Sequence, residues 1–332
     1  MSNNRYRQQR KKQIVFSIFV GVFLAAGLAA LLLKSSDKEK YEGTYNSNTQ
    51  ENTIQYDGKV YRYNDHLSNY LFLGVDTRDK VDTYKNINDA GQADAIFLIS
   101  YDRAEETIQS ILIPRDTMTQ IETFNPAGES LGMTEDHINI QYAMGDGKDK
   151  SCQLMKQAVS DLLYGVPIQG YCSMNMDGIP VLTDIIGGVP VTVPDDSLAE
   201  INPEFQQGAE VVITGENAEQ FVRYRDIKKT QSAIIRMNRQ KVFLQAYAKK
   251  AQEVSKKDSS LISRIYDGVQ DYLVTNMSND IFAKMLAAFS GGTNMVTIPG
   301  EGTEGEIYDE YHVNEDQLYE LMIQIFYKEV QD

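Results

Sequence analysis

The chain has 332 residues, of which 42% are hydrophobic and 24% are charged, so it is long enough for one large domain or two small ones. Residues 1–34 contribute +6 to the formal net charge of −15, and the rest of the chain therefore carries −21. A strongly acidic surface repels the phosphates of nucleic acid, so we expect no nucleic acid partner.

A membrane helix is the first predicted element. Residues 14–33 form a run of 20 residues in which Ser17 is the only clearly polar member, and about 20 apolar residues span a bilayer core. Basic residues and no acidic residue precede the run. The positive-inside bias then predicts a cytoplasmic tail over 1–13 and an extracellular domain, as in a single-pass protein of the cell membrane. A cleaved signal peptide is the alternative, but the run exceeds the usual length of its apolar part.

The next segment, 34–52, is rich in Ser, Asn, Lys, Glu and Thr and contains almost no apolar residues. Such a segment buries too little surface to order itself, so we expect a stalk. The folded domain is predicted to span 53–332. It should begin with a hairpin over 54–63, because Asp57-Gly58 is typical of a type I′ turn.

Three apolar runs, 70–75, 95–100 and 108–113, have the length and composition of buried strands. The charged residues that flank these runs are Asp76, Arg78, Asp94, Arg115 and Asp116. Ligands bind at strand ends in an open sheet covered by helices, so these side chains are candidates for a site. For each one alone, a surface ion pair between turn residues is the alternative.

Helices and strands alternate further along the chain. Apolar residues at helical spacing predict a helix over 147–163, and a strand is predicted over 168–174. A short helix capped by Asp177 is predicted to end at 186, and another strand should cover 189–193. This alternation implies an α/β sandwich.

Arginines concentrate in a second stretch. Arg223 and Arg225 lie two positions apart, while Arg236 and Arg239, followed by Gln240, share one face of a predicted helix. A guanidinium matches phosphate oxygens with two parallel hydrogen bonds, so an anion site is one interpretation and structural ion pairs are the other. Carboxylates next to a phosphate require a metal, and Mg²⁺ binds one or two carboxylates together with phosphate oxygens.

In composition and order, these motifs resemble those of the LytR-CpsA-Psr family, the membrane-anchored phosphotransferases of Gram-positive cell walls. The matching segments are 73–78, 93–95, 113–117, 137–139, 142–143, 187–191, 215–218, 223–225 and 236–240. Any one segment alone is a weak signal, whereas their combination over roughly 69–250 is specific.

The resemblance implies an α/β/α sandwich with a central mixed sheet. It implies transfer of a phospho-glycan, a teichoic acid or capsular-type polymer, from a polyprenyl-pyrophosphate carrier to peptidoglycan, with polyprenyl phosphate as the leaving group and the lipid tail in an apolar tunnel. By resemblance, Asp76 and Asp94 hold Mg²⁺. The residues expected to bind the pyrophosphate are Arg78, Arg115, Arg223, Arg225, Arg236, Arg239 and Gln240; those expected to be catalytic are Arg115, Arg223, Arg225 and Asp116.

One departure from the family pattern lies at Ala233. The family usually has an Asp-x-Gly-Arg run where this chain has Ala233-Ile234-Ile235-Arg236. Without this acid, the transferase activity implied by the resemblance is expected to be either reduced or redirected, and the sequence leaves both alternatives open. The alternative function is a non-catalytic protein that binds polyprenyl phosphate or the cell wall and helps to maintain the envelope.

Several other features give narrower expectations. Cys152 and Cys172 are compatible with a disulfide or with two buried thiols, and His137 is expected to be structural rather than a catalytic base. The glycine-rich 299–305 lacks the lysine of a phosphate loop, so a surface turn is expected. The C-terminal extension from about 255 should complete the same sandwich, with predicted helices over 261–274, 280–289 and 314–327 and a strand over 295–298.

Overall fold

The structure, a computed structural model, describes residues 53–330 except 79, 85, 87–88, 225–231, 291–293 and 306–307. The predicted membrane segment 14–33 and the predicted stalk lie outside the described residues. Within the described part of the chain, none of the helices combines the length and the apolar character that a membrane crossing requires.

The described elements alternate between strands and helices along most of the chain. In chain order they are β1 (Thr53–Tyr56), β2 (Lys59–Tyr63), β3 (Leu67–Val75), β4 (Ala93–Asp102), β5 (Thr107–Ile113), β6 (Met118–Phe124), β7 (Ser130–His137), α1 (Ile140–Ala143), α2 (Asp149–Leu162), β8 (Gly170–Asn175), α3 (Gly178–Ile185), β9 (Val189–Thr192), β10 (Glu210–Ile213), α4 (Gly215–Arg223), α5 (Ser232–Ser255), α6 (Leu261–Val269), β11 (Leu273–Thr275), α7 (Asn279–Ser290), β12 (Asn294–Thr297), β13 (Gly300–Glu304), β14 (Asp309–Val313), α8 (Glu315–Phe326) and β15 (Tyr327–Glu329).

A six-stranded sheet in the order β11-β8-β3-β4-β5-β12 forms the centre of the domain. The pairs β3–β4, β4–β5 and β11–β8 are antiparallel, whereas β3–β8 and β5–β12 are parallel. Every residue of β3 and β4 is buried, because hydrophobic clusters cover both faces of the sheet. The fold is therefore mixed α/β with a central mixed sheet, as expected.

The side chains of β3 alternate between the two faces. Phe72 packs with residues of α3 to α7 on one face, while Leu71 and Leu73 pack with residues of α2 and α8 on the other. The C-terminal extension contributes to both faces and supplies the two edge strands β11 and β12. The extension therefore packs into the same domain as the strands that precede it.

The predicted N-terminal hairpin is present. Asp57 and Gly58 have φ values of 49° and 73°, and Tyr56 pairs with Lys59 across the turn, as a type I′ turn requires. A third strand joins this hairpin, because β15 pairs antiparallel with β2.

Three local features go beyond or differ from what the sequence predicted. The strand predicted over 189–193 is present as β9, and it pairs with β10 in a two-stranded sheet separate from the central one. The glycine-rich segment is not a surface turn, since β13 pairs with β14 over five residue pairs. The antiparallel hairpin β6–β7 was not predicted at all.

The two cysteines are free thiols, which decides between the two alternatives left open by the sequence. Cys152 belongs to the hydrophobic cluster on the α2 side of the sheet, and Cys172 belongs to the cluster on the opposite side. Burial raises the pKa of both thiols. They are therefore shielded from solvent as small buried residues.

We expect neither cysteine to react with a thiol-alkylating reagent in the folded protein, because both are buried and remain protonated at neutral pH. Mass spectrometry of the alkylated protein, before and after unfolding in guanidinium, measures this. Two additional labels should appear only after unfolding, without a reductant. A disulfide that must be reduced before labelling would contradict the structure.

Candidate functional site

Strands β3, β5 and β8 of the central sheet end on the same side of the sheet, where β4 begins; this side is called the sheet edge below. Strand β3 leads into Asp76, and β4 begins beside it in antiparallel register, with Val75 opposite Ala93. Strand β5 ends next to the start of β4, with Ile113 opposite Ile96, and β8 runs parallel to β3 and ends at the same edge. The sequence-predicted acids and arginines that follow these strands are thereby brought together.

Asp94 and Arg115 form a buried ion pair at this edge. Asp94 is 2% exposed, and its Oδ1 accepts a hydrogen bond from Nη1 of Arg115. Nε of Arg115 donates to Oδ1 of Asp116 over 3.0 Å. Burial raises the pKa of the Asp94 carboxyl, and the positive charge of Arg115 opposes this shift. Among the described residues, Oδ2 of Asp94 is buried without a hydrogen-bond partner.

Asp76 lies beside this pair and is fixed by the backbone of the following loop. Its Oδ1 accepts a hydrogen bond from the N–H of Gln92 over 2.7 Å. Gly91 has a φ of 76°, and a Cβ there would lie 2.7 Å from the same oxygen, so only glycine permits this approach. The negative charge of Asp76 also raises the pKa of Asp94. Two carboxylates are therefore neighbours at the sheet edge.

Asn139 links the start of β4 to the segment after β5. Its backbone N–H donates to the carbonyl of Arg115 over 3.3 Å, and its own carbonyl accepts from Ala93 over 3.2 Å. Its side-chain amide donates to Oε1 of Gln92 over 3.1 Å. This buried residue thus fixes the backbone on both sides of the ion pair.

A second charged group surrounds Glu219 of α4. Arg78 donates to both carboxylate oxygens of Glu219, through Nη1 over 2.9 Å and through Nη2. Arg223, one turn further along the same helix, pairs with Oε1 of Glu219. The Nη1 of Arg78 also donates to Asp177 over 3.0 Å. Asp177 was predicted to cap α3, but its side chain makes no capping hydrogen bond and faces Arg78 instead.

Electrostatic coupling connects the two groups. Burial, followed by the positive charge of Arg78, lowers the pKa of Arg223 to about 10, while Asp94 and Asp76 act in the opposite direction. Arg236 of α5 lowers the pKa of Asp94 through its charge. Contacts or charge effects thus link seven of the predicted residues in one cluster, whereas Arg225 lies outside the described residues. The seven are Asp76, Arg78, Asp94, Arg115, Asp116, Arg223 and Arg236.

Arg239 and Gln240 of α5 contact the end of α4, and Nε of Arg239 lies 3.3 Å from Oδ2 of Asp195. Arg239 is fully buried and donates to the carbonyls of Phe221 (over 3.0 Å) and Tyr224, and Gln240 donates to the carbonyl of Val222 over 3.1 Å. These are the last carbonyls of α4, which lack partners within the helix. The donors expected to bind a pyrophosphate thus fix the end of the helix that carries Arg223.

His137 has the structural position expected for it. Its Nδ1 lies 2.9 Å from Oδ1 of Asp136, and its Nε2 lies 3.0 Å from the carbonyl oxygen of Asp309. The first contact lies within β7, and the second joins β7 to the start of β14.

Four residues of this region were not assigned to it from the sequence. They are Gln92, Asn139, Glu219 and, as a partner of Arg78, Asp177. Glu219 and Arg223 are four positions apart on a helix, a spacing typical of ion pairs, and this signal was available. The contact of Arg78 with Glu219 joins residues 141 positions apart, which no local pattern predicts. No group of three or more His, Cys, Asp or Glu side chains arranged for a metal occurs among the described residues.

The chain is similar to known proteins over most of its length. Residues 30–325 match the LytR_cpsA_psr family. The polyisoprenyl-teichoic acid–peptidoglycan teichoic acid transferase TagU of Halalkalibacterium halodurans is 30% identical over 238 residues, which cover 70% of this chain and 69% of the relative.

Two solved structures share the fold. The crystal structure of B. subtilis TagU has a TM-score of 0.55 and 22% identity, covering 81% of this chain and 100% of that chain. A structure of TagT bound to LI-WTA has a TM-score of 0.56 and 22% identity, and the match covers 79% of this chain and 90% of that chain. These structures support the mixed α/β fold of the described domain.

Proposed function

The chain belongs to the LytR-CpsA-Psr family, and from this premise we propose that it transfers a phospho-glycan of the teichoic acid or capsular type from a polyprenyl-pyrophosphate carrier to peptidoglycan. The observation that carries the proposal is the convergence of Arg78, Arg115 and Arg223 at the sheet edge, beside Asp76 and Asp94. The named activity of the TagU relative supports it.

In the proposed reaction, a hydroxyl of peptidoglycan attacks the phosphorus on the glycan side of the pyrophosphate. The new P–O bond forms a phosphodiester, the bond from this phosphorus to the bridging oxygen breaks, and polyprenyl phosphate leaves and takes up the proton of the hydroxyl. Such a reaction requires mainly positioning and charge stabilisation from the protein. Nε of Arg223 is buried and has no hydrogen-bond partner among the described residues, so it leaves a donor for a phosphate oxygen.

Mg²⁺ is part of the proposal, and two observations fit it. Oδ2 of Asp94 is buried without a hydrogen-bond partner among the described residues, and Asp76 is close enough to act on the pKa of Asp94. Two carboxylates plus phosphate oxygens are a typical Mg²⁺ ligand set. When bound, the ion would neutralise charge on the phosphates, while Asp76 and Asp94 would hold it.

Asp76→Asn is expected to remove the dependence of pyrophosphate binding on Mg²⁺. An asparagine keeps Oδ1 as an acceptor for the N–H of Gln92 but removes the charge that a metal requires. Calorimetry of the full-length protein with inorganic pyrophosphate, with and without Mg²⁺, measures this. Asp89→Asn, an exposed acid of the same loop, is the control. Equal Mg²⁺ dependence in the wild type and in Asp76→Asn would contradict a metal site here.

The transfer itself is tested with the full-length protein in detergent micelles. Given a synthetic glycan-pyrophosphoryl-polyprenol, Mg²⁺ and peptidoglycan oligomers, it should release polyprenyl monophosphate and form a phosphodiester-linked glycan. Tight binding of the donor without product, for several donors and acceptors, would support the non-catalytic alternative. Ala233→Asp, which restores the acid of the family pattern, is expected to raise the rate if the missing acid limits turnover.

We also propose that the domain lies outside the cell behind a single membrane helix over 14–33, with a cytoplasmic tail over 1–13 and a stalk over 34–52. The support is the apolar run and its basic flank, together with a substrate carried on a membrane lipid. Protease added to intact protoplasts should digest the domain. Digestion that requires lysis of the membrane would contradict this placement.

A further inference from the structure

The carboxylate of Glu219 occupies the space between two arginines of the proposed phosphate site. Both of its oxygens are used: Oε2 accepts from Nη1 of Arg78 over 2.9 Å, and Oε1 accepts from Nη2 of Arg78 and from Arg223. A carboxylate that accepts a two-point hydrogen bond from a guanidinium has the geometry of two oxygens of a phosphate. Glu219 therefore makes the contacts that an anionic ligand would make with this arginine pair.

The arginine pair is unfavourable without an anion between the two charges. The positive charge of Arg78 lowers the pKa of Arg223, next to the larger effect of burial. Asp177 also accepts from Nη1 of Arg78, and Asp94 and Asp76 act on Arg223 through their charges. Among these acids, Glu219 is the one that contacts both guanidinium groups.

Only the side chain of Glu219 has to move to vacate this position. The end of α4 is fixed by the hydrogen bonds of Arg239 and Gln240 to its last carbonyls, so the helix itself is held. The side chains of Glu219 and Arg78 are 27% and 48% exposed. A rotation of the Glu219 side chain toward solvent would therefore open the arginine pair without repacking the core.

We propose that Glu219 is a built-in competitor of the substrate, which occupies the phosphate position between Arg78 and Arg223 and must rotate out before a pyrophosphate binds there. The inference rests on the function proposed above and adds regulation of the same site. After transfer, the returning carboxylate replaces the product phosphate on the arginines. Glu219 thereby lowers the affinity for the donor and speeds the release of polyprenyl phosphate.

The test compares Glu219→Gln with Glu216→Gln in the full-length protein. Glu216 is an exposed residue in the first turn of the same helix, so its substitution makes the same change in net charge without a contact to either arginine. Calorimetry with inorganic pyrophosphate should give binding about tenfold tighter for Glu219→Gln, as expected when partly exposed ion pairs no longer compete. Glu216→Gln should bind as the wild type does, and melting temperatures of both variants report on folding.

A second measurement separates release from binding. In the transfer assay, Glu219→Gln should lower both KM and kcat, because the product leaves more slowly, while Glu216→Gln should change neither. Glu219→Gln that is folded but binds pyrophosphate equally or more weakly than the wild type would overturn the inference and make Glu219 a residue that positions the arginines. Absence of pyrophosphate binding in a wild type that forms product would also overturn it, without touching the proposed function. Tighter binding in Glu219→Gln, with no product from any variant, would support the inference and contradict the transfer.

Discussion

Arg115→Ala is expected to abolish transfer and to lower the free energy of unfolding by about 3 kcal/mol, the size typical of removing one partner from a buried ion pair. Arg115 donates to the fully enclosed carboxylate of Asp94 and to Asp116, so its loss leaves Asp94 buried without its counter-charge. It also removes positive charge from the proposed transition state. Chemical denaturation and the transfer assay measure the two effects.

The stability loss in Arg115→Ala should depend on pH in a defined direction. Burial raises the pKa of Asp94, and the charge of Arg115 is the largest effect that lowers it. The pKa of Asp94 should therefore be higher in Arg115→Ala than in the wild type. A carboxyl with a raised pKa in the folded state stabilises the fold least when it is ionised, so the variant should lose stability as the pH rises above about 4. Stability of the variant that parallels the wild type from pH 4 to 8 would contradict this.

The double variant Asp94→Asn/Arg115→Ala separates stability from catalysis. It removes both charges of the pair, so it should be more stable than Arg115→Ala alone, yet it should remain inactive. Arg103→Ala, at the far end of β4, is the control, because Arg103 is exposed and contacts backbone carbonyls near His66. An inactive Arg103→Ala would show that loss of activity does not report on the site.

Arg239→Met is expected to lower the free energy of unfolding by about 2 to 4 kcal/mol, because it leaves buried carbonyls of α4 without donors. Methionine keeps most of the volume, so the loss comes from the missing hydrogen bonds and from the lost ion pair with Asp195 rather than from a cavity. In the described part of the chain, Arg239 contacts no proposed phosphate ligand directly, so pyrophosphate binding should weaken only slightly, through looser positioning of Arg223 at the end of α4. Thermal unfolding and calorimetry measure the two quantities.

Arg223→Met is the matched comparison for Arg239→Met. It removes an arginine that is partly exposed and pairs with Glu219, so it should hardly affect stability but should weaken pyrophosphate binding strongly. The opposite pattern, with Arg239→Met stable but unable to bind pyrophosphate, would contradict this and would support the original expectation that Arg239 binds the pyrophosphate.

The central strands were predictable because their signals are local. The strands β3 and β4 are buried along their whole length, and β5 is buried over its last four residues. Charged residues flank the apolar run of each strand. The hairpin β6–β7 lacked this signal, since seven of the eight residues of β7 are not buried. Strand β9 carried an overlooked sign of its edge position: its residues alternate between buried and exposed, and Pro190 lies in its middle.

The arginines show where sequence reasoning reached its limit. Arg236 and Arg239 are three positions apart on one helix, and both were expected to face an anion. One acts on Asp94 through its charge, while the other is committed to backbone carbonyls of α4. Which of two neighbouring arginines faces a ligand depends on the helix packed opposite them, and that information is not local.

The pairing of β15 with β2 has a consequence for the order in which the domain is completed during synthesis. Lys59 and Glu329 form an ion pair across 270 positions of the chain, so β2 acquires its second neighbour only when residues 327–329 have been made. Until then β1 and β2 are a two-stranded ribbon, which is marginally stable by itself. Strands β1 and β2 are therefore completed only by β15, and a chain that stops before Tyr327 would leave the edge of β2 open to pairing with another molecule.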